Sequence, residues 1–230
     1  MSASVLVVDD DRQVAKIVTD LLSSRGYEVR TANEAESAMA SLIARPPALL
    51  LTDLEMPGMN GIELCRRVRQ TSNVPIVVMA GRADSASEVA ALDAGADDFI
   101  VKPCTADRLL ARVRLGLRRS RELAETPSLD AGAFHIDFGA RRMHVHGRSV
   151  RLTPKEFDLL VYMARHPNRV LGHKTLLREV WGESSECQPE YLRVYIGQLR
   201  KKLEPDPSHP RYLVTEPWVG YQFNPDGAAA

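Results

Sequence analysis

Residues 49–64 read LLLTDLEMPGMNGIEL. Three leucines followed at once by Thr52 and Asp53 make a short, wholly apolar run that stops on an acid. That is the pattern of a strand buried on both faces of a parallel sheet. Ile62, Leu64, Cys65 and Val68 then fall at helical spacing. The alternation extends both ways along the chain. Val5–Val8, Val29 with its neighbours, Ile76–Met79 and Phe99–Val101 are further apolar runs. Val14, Ile17, Val18, Leu21 and Leu22 form one helical stripe. Val89, Leu92 and Ala96 form a weaker one, and Leu109, Leu110, Val113 and Leu117 another. Repeated strand–helix alternation implies right-handed crossovers and an α/β fold, a doubly wound five-stranded parallel sheet.

The chain has 230 residues, 44% of them hydrophobic and 26% charged, which excludes collagen-like, disulfide-scaffold and wholly disordered classes. Thirty Lys and Arg balance thirty Asp and Glu, so nucleic-acid binding requires a local patch. No apolar run approaches the ~20 residues of a membrane span, and MSASVLVVDDD lacks a basic signal-peptide start. Three irregularly spaced cysteines, Cys65, Cys104 and Cys187, argue for a reducing cytoplasm and against structural zinc.

The periodicity stops at RRSRELAETPS, residues 118–128. This divides the chain into a first domain at 1–121, a linker at 122–129 and a second domain at 130–230. The second domain opens with alternating runs at Phe134–Phe138 and Met143–Val145 around a turn at Gly147, the pattern of small antiparallel strands. Thr153-Pro154-Lys155-Glu156 is a capping box that starts a helix ending near His166-Pro167. Further helices fit Lys174–Trp181 and Pro189–Leu203, and YLVTEPWVGYQF reads as a hairpin. Three helices closed by a hairpin make a winged helix-turn-helix.

The polar residues of the first domain fall at strand ends. Asp9, Asp10 and Asp11 follow the first strand, Asp53 follows the third and Lys102 follows the fifth. Open α/β sheets bind ligands at those carboxyl ends, and an order of 2-1-3-4-5 brings the three positions together. Clustered carboxylates need a cation, and hard oxygen ligands favour Mg²⁺. A carboxylate is also a nucleophile toward phosphorus. Mg²⁺ and one lysine would then neutralise charge on the transferred phosphoryl group.

The stretches VLVVDDD (5–11), LLLTDLEMPGMNGIEL (49–64) and ALDAGADDFIVKP (91–103) resemble the receiver domain of bacterial two-component response regulators. The resemblance implies that Asp53 accepts a phosphoryl group from a sensor histidine kinase. It implies that Asp9, Asp10 and Asp53 hold Mg²⁺ with the backbone carbonyl of Glu55, and that Lys102 pairs with the phosphoryl group. It also implies a cis Lys102–Pro103 peptide and a rotating aromatic at Phe99. Two positions depart from the family. Ala80 stands where a Ser or Thr hydroxyl contacts the phosphoryl oxygen, and Cys104 replaces a common Phe. The first departure favours an alternative, an orphan regulator that binds DNA independently of phosphorylation. The resemblance further implies an activated homodimer. There Glu88 and Arg108 carry the reverse of the usual charges, and Asp97, Asp98 and Arg112 lie on the same face.

In the second half, LTPKEFDLL (152–160), LLREVWG (176–182), YLRVYIGQLRKKLE (191–204) and VGYQF (219–223) resemble the winged-helix effector of the OmpR/PhoB class. The tract 191–216 looks most like regulators of potassium-transport operons. On a helical wheel Leu192, Ile196, Leu199 and Leu203 face inward, while Arg193, Gly197 and Arg200 share an adjacent face beside Lys201. The resemblance makes this the recognition helix for double-stranded promoter DNA, in direct repeats about one turn apart. It places the wing around Trp218 at the minor groove and the 181–188 loop against RNA polymerase.

Other readings compete. A D-x-D at Asp9 and Asp11 fits a haloacid-dehalogenase-type phosphatase, which leaves Asp53 and the second half without a role. A winged helix serving only as a protein adaptor is another. His144 and His146 alternate on one strand as an HxH pair, with no third metal ligand placed by sequence.

Overall fold

The computed structural model describes residues 2–81, 85–117, 128–182 and 189–227. The chain divides into two units, 1–119 and 120–230. The first unit carries strands β1 (Ser4–Val8), β2 (Glu28–Ala32), β3 (Leu49–Asp53), β4 (Ile76–Ala80) and β5 (Asp98–Val101). They form one parallel sheet of order β2-β1-β3-β4-β5, as the sequence predicts. Helices α1 (Arg12–Ser24), α2 (Ala35–Ala44), α3 (Gly61–Thr71), α4 (Ser85–Asp93) and α5 (Ala106–Leu117) cross between successive strands or follow the last.

Central position explains the leucine run: every residue of β3 is buried, and β3 is flanked by β1 and β4. Val5, Val7, Leu49, Leu51, Val77, Met79 and Ile100 pack with Val18 and Leu22 of α1 and with Leu109, Leu110 and Val113 of α5. Helix starts are set by polar caps. Asp11 accepts from the amides of Gln13 and Val14 and begins α1 immediately beyond β1. Asn60 accepts from the Glu63 amide and begins α3. Gly61 lets α3 start hard against the sheet, since a Cβ there would stand 2.2 Å from the carbonyl oxygen of Asp53.

The second unit opens with an antiparallel sheet of β6 (Ser128–Ala131), β7 (Phe134–Asp137), β8 (Arg142–Val145) and β9 (Arg148–Val150). Ser128 and Leu129, expected in the linker, therefore pair with β7. Next come α6 (Pro154–Ala164), β10 (Val170–Gly172), α7 (His173–Trp181), α8 (Pro189–Leu203), β11 (Leu213–Glu216) and β12 (Gly220–Phe223). Strands β10, β12 and β11 form the closing sheet. The capping box at Thr153 and Glu156 is present. Glu156 also pairs with Lys202, which ties α6 to α8. Glu204, just beyond α8, accepts from the amides of Arg211, Tyr212 and Leu213 and so anchors the wing hairpin. Three packed helices with a β-hairpin wing are a winged helix-turn-helix.

Candidate functional site

The carboxyl ends of β1, β3 and β5 bring together Asp9, Asp10, Asp53 and Lys102. One carboxylate oxygen from each aspartate lies within 4.8 Å of the others. Asp9 and Asp53 are buried, and Asp10 is exposed. Lys102 Nζ stands 3.2 Å from Asp9 Oδ2 and 2.8 Å from Asp53 Oδ1. The second contact is an ion pair. The peptide before Pro103 is cis. The main chain braces the cluster: the Leu54 amide donates to the Met79 carbonyl, and the Lys102 amide donates to the Ala80 carbonyl.

Electrostatics mark Asp53 as the unsettled member. Burial pushes its carboxyl above the ordinary value; Lys102 pulls it down, and the Asp9 charge adds to the rise. For Lys102 burial acts downward, but pairing with Asp53 and Asp9 outweighs it and the ammonium is held more firmly than usual. One cation thus serves two carboxylates, and a third carboxylate stands beside them. Three hard oxygen donors with a surplus of negative charge fit a divalent metal. Glu55 lies just beyond, its side chain exposed and outside the cluster. Asp11 is spent on the α1 cap, so the D-x-D reading loses its second carboxylate.

Ala80 ends β4 and is buried, and Phe99 in β5 is buried opposite Val78. Cys104 lines an apolar cavity of about 450 Å³ with Val14, Ile17, Leu21, Pro103 and Leu109. Burial pushes its thiol up, the reverse of what a reactive thiolate needs. This cavity was not legible in the sequence; Ile17, one of its lining residues, is 67% exposed.

The acids expected at a dimer face are engaged within the unit. Asp98 pairs with Arg112 of the same chain at 3.1 Å, both buried. Asp97 pairs with Arg69 at 2.7 Å and accepts from the Ile76 amide. Glu88 and Arg108 are half-buried on α4 and α5.

In the winged helix, Leu192, Ile196, Leu199 and Leu203 are buried as expected, with Tyr191 and Tyr195 beside them. Arg193 and Lys201 are exposed, and the space around Gly197 is open. Arg200 is placed differently from the expected groove-facing row. Its Nε and Nη2 donate to the Leu213 carbonyl at 2.9 and 2.6 Å, and Nη2 donates to Thr215 Oγ1 at 2.7 Å. It fastens β11 to α8. Trp218, wholly exposed with φ 68°, and Val219 form the wing tip. Residues 183–188, and with them most of the 181–188 loop, lie outside the described residues. So do Cys187 and most of the expected linker.

The HxH pair does not form on one strand face. Strand β8 ends at Val145, and His146 sits in the following turn with φ 49°. Its Nε2 lies 2.8 Å from the Tyr212 hydroxyl.

Residues 5–114 match the family model for the response regulator receiver domain, and residues 147–223 match that for the C-terminal domain of transcriptional regulatory proteins. The chain is 40% identical over 221 residues to the transcriptional regulatory protein KdpE of Mycobacterium tuberculosis, covering 95% of this chain and 98% of that one. It is 38% identical over 225 residues to the DNA-binding response regulator MtrA of Mycolicibacterium smegmatis, covering 98% of each. The solved structure of DrrB, an OmpR/PhoB homologue from Thermotoga maritima, is 29% identical with a TM-score of 0.53, covering 97% of this chain and all of that one.

Proposed function

The chain belongs to the OmpR/PhoB family of two-component response regulators with a KdpE-like effector domain, and from that premise we propose that phosphorylation of Asp53 controls its binding to promoter DNA. The observation that carries this reading is the convergence of three carboxylates within 4.8 Å, with Lys102 at 2.8 Å from Asp53. An acidic pocket with a single lysine suits an anionic phosphoryl group only when its surplus negative charge is neutralised.

An Asp53 oxygen would attack the phosphorus of a phosphohistidine on the sensor kinase. The O–P bond forms, the P–N bond breaks, and the leaving imidazole takes a proton. Burial and the Asp9 charge keep Asp53 poorly stabilised as a carboxylate, and Lys102 holds it ionised for attack. Once Asp53 carries the acyl phosphate, its charge lies on the phosphoryl oxygens, and Lys102 follows it. Asp9, Asp10 and Asp53 would hold Mg²⁺ with the Glu55 carbonyl, and the ion would supply neutralisation of the transferred group.

The effector unit would read DNA through α8. Arg193 and Lys201 face solvent for base and phosphate contact, Gly197 permits close approach, and Trp218 stands at the wing tip. Direct repeats about one helical turn apart suit tandem winged helices. Activation would form a homodimer through α4, β5 and α5 with Glu88 and Arg108 as cross-pairing residues, and bound protein would engage RNA polymerase. Likeness to KdpE favours a potassium-transport operon as target. No helix among the described residues is long and apolar enough to cross a membrane.

Ala80 favours a second reading, in which DNA binding ignores phosphorylation. DNA affinity at fixed salt, with and without a small phosphodonor and Mg²⁺, separates the two. A gain of tenfold or more that Asp53→Ala abolishes supports the switch. Stoichiometric phosphorylation with unchanged affinity supports the second reading. Absence of any DNA binding refutes both and leaves a protein adaptor.

A further inference from the structure

The outer face of the β6–β9 sheet carries a row of polar residues that neither the phosphoryl site nor the DNA surface uses. Asp130 is registered opposite His135, His135 opposite His144, and His144 opposite Ser149. Directly opposed residues share one face of a sheet, with Cβ atoms about 4.5–5.5 Å apart. Phe134, Ile136, Met143 and Val145, which alternate with them, are buried. The row is therefore set on the solvent side by the strand period.

The geometry of the row is that of a prepared nitrogen site. Asp130 Oδ1 lies 2.6 Å from His135 Nδ1. A carboxylate at Nδ1 holds the proton there and leaves Nε2 as a lone pair, the second-sphere arrangement that orients metal-binding histidines. The His135 and His144 rings are 6.0 Å apart between centroids. His144 Nδ1 is shut off from solvent and has no hydrogen-bond partner. Two imidazoles on one ion with N–metal bonds of about 2.0–2.1 Å have ring centres roughly 5 Å apart. Side-chain rotation alone closes the remaining ångström or so, because strand pairing fixes the backbone.

We propose that His135 and His144, with Asp130 orienting His135, bind a zinc ion across β7 and β8, with water completing its coordination. Imidazole nitrogens select borderline metals such as Zn²⁺ over Mg²⁺, whereas the Asp9–Asp10–Asp53 cluster offers hard oxygens. The two sites are thus chemically distinct. His146, turned to Tyr212, takes no part.

The test is zinc titration of the tag-free full chain by calorimetry, with millimolar Mg²⁺ present and Cys104 and Cys187 changed to Ser. One zinc equivalent is expected to bind in the micromolar range. His135→Gln and His144→Gln should each weaken it at least tenfold, and Asp130→Asn about tenfold. His146→Gln and His209→Gln should leave it unchanged. Imidazole NMR of the unsubstituted protein gives a check that needs no variant to fold: zinc should shift the His135 and His144 resonances alone among the six histidines. Binding that survives either His135→Gln or His144→Gln overturns the proposal. So does absence of zinc binding, or shifts centred on other histidines.

Discussion

Arg200 invites the most direct test, because the helical wheel and the structure give it different work. Arg200→Met keeps the stem and removes the fork that holds the wing. The fork makes three N–H···O contacts to two acceptors, the Leu213 carbonyl and Thr215 Oγ1. Hydrogen bonds from a charged donor contribute about 1.5–3 kcal/mol, and partial exposure argues for the lower end. A loss of about 1.5 kcal/mol corresponds to a fall of roughly 6 °C in the melting temperature of a unit this size. The readout is built into the chain. Its two tryptophans, Trp181 and Trp218, both lie in the effector unit, so the emission of the intact protein reports that unit alone. Trp181 is 2% exposed and should shift to the red on unfolding. A misplaced wing should also weaken specific and non-specific DNA binding by a similar factor, about tenfold at fixed salt. Arg193→Met should weaken specific binding selectively. A melting temperature unchanged by Arg200→Met, with an affinity loss confined to one operator base pair, would refute the wing-fastening role and return Arg200 to the groove.

Two further outcomes follow from the phosphoryl site. Ala80→Thr supplies the hydroxyl that Ala80 lacks, and a hydrogen bond to a charged group contributes about 1.5–3 kcal/mol. The ratio of DNA affinities with and without phosphodonor should therefore rise by about 10–100-fold. An unchanged ratio at equal phosphorylation would show that coupling does not run through this position, and Ala80→Ser guards against overpacking by the extra methyl. Asp53→Asn should raise the melting temperature of the receiver unit by a few degrees in Mg²⁺-free buffer at neutral pH, followed by calorimetry. The sign comes from burial, which raises the folded-state carboxyl above its ordinary 3.8. The folded protein then binds the proton more tightly than the unfolded chain, so ionisation costs stability as pH rises through that range. The gain should shrink as pH falls and vanish below 3.8, where both states carry the proton; a lower melting temperature at neutral pH contradicts the argument.

The parallel sheet was legible because its inner strands are buried on both faces and so read as unbroken apolar runs. Helix α2 left no clean stripe: its buried side is Ala35, Ala38 and Leu42, and Ile43 is 77% exposed. Strand β9 has no fully buried residue, so only its register with β8 defines it. Asp9, Asp10, Asp53 and Lys102 were legible for the same reason as the strands, since each follows or ends an apolar run. The contacts that were not legible mostly involve a partner distant in sequence. The pairing of Asp98 with Arg112 inside one chain was not legible, because sequence does not say which residues 14 apart meet in the fold. Arg200 looked like a groove residue because its acceptors lie 13 and 15 residues away on another element. The HxH pattern assumed that β8 continued past Val145. The turn at His146 breaks the alternation, and His135 on the neighbouring strand faces His144 instead.

Accepting a phosphoryl group and transmitting it are separable in this sheet. The acceptor pocket takes its charged side chains from the ends of β1, β3 and β5. Strand β4 contributes to it through the main chain: the Ala80 carbonyl receives the Lys102 amide at 2.7 Å, and the Met79 carbonyl receives that of Leu54. A methyl at position 80 leaves both bonds in place. Removing the hydroxyl therefore spares the position of Lys102 and the ionisation balance of Asp53, and deletes only a side-chain contact that exists after phosphorylation. Such a chain should take up phosphoryl groups at an ordinary rate while its DNA affinity responds weakly. Compensation, if present, must come from another group that bonds the phosphoryl oxygens. Stoichiometry of phosphorylation and affinity for DNA are accordingly two independent observables, and a change in one does not stand in for a change in the other.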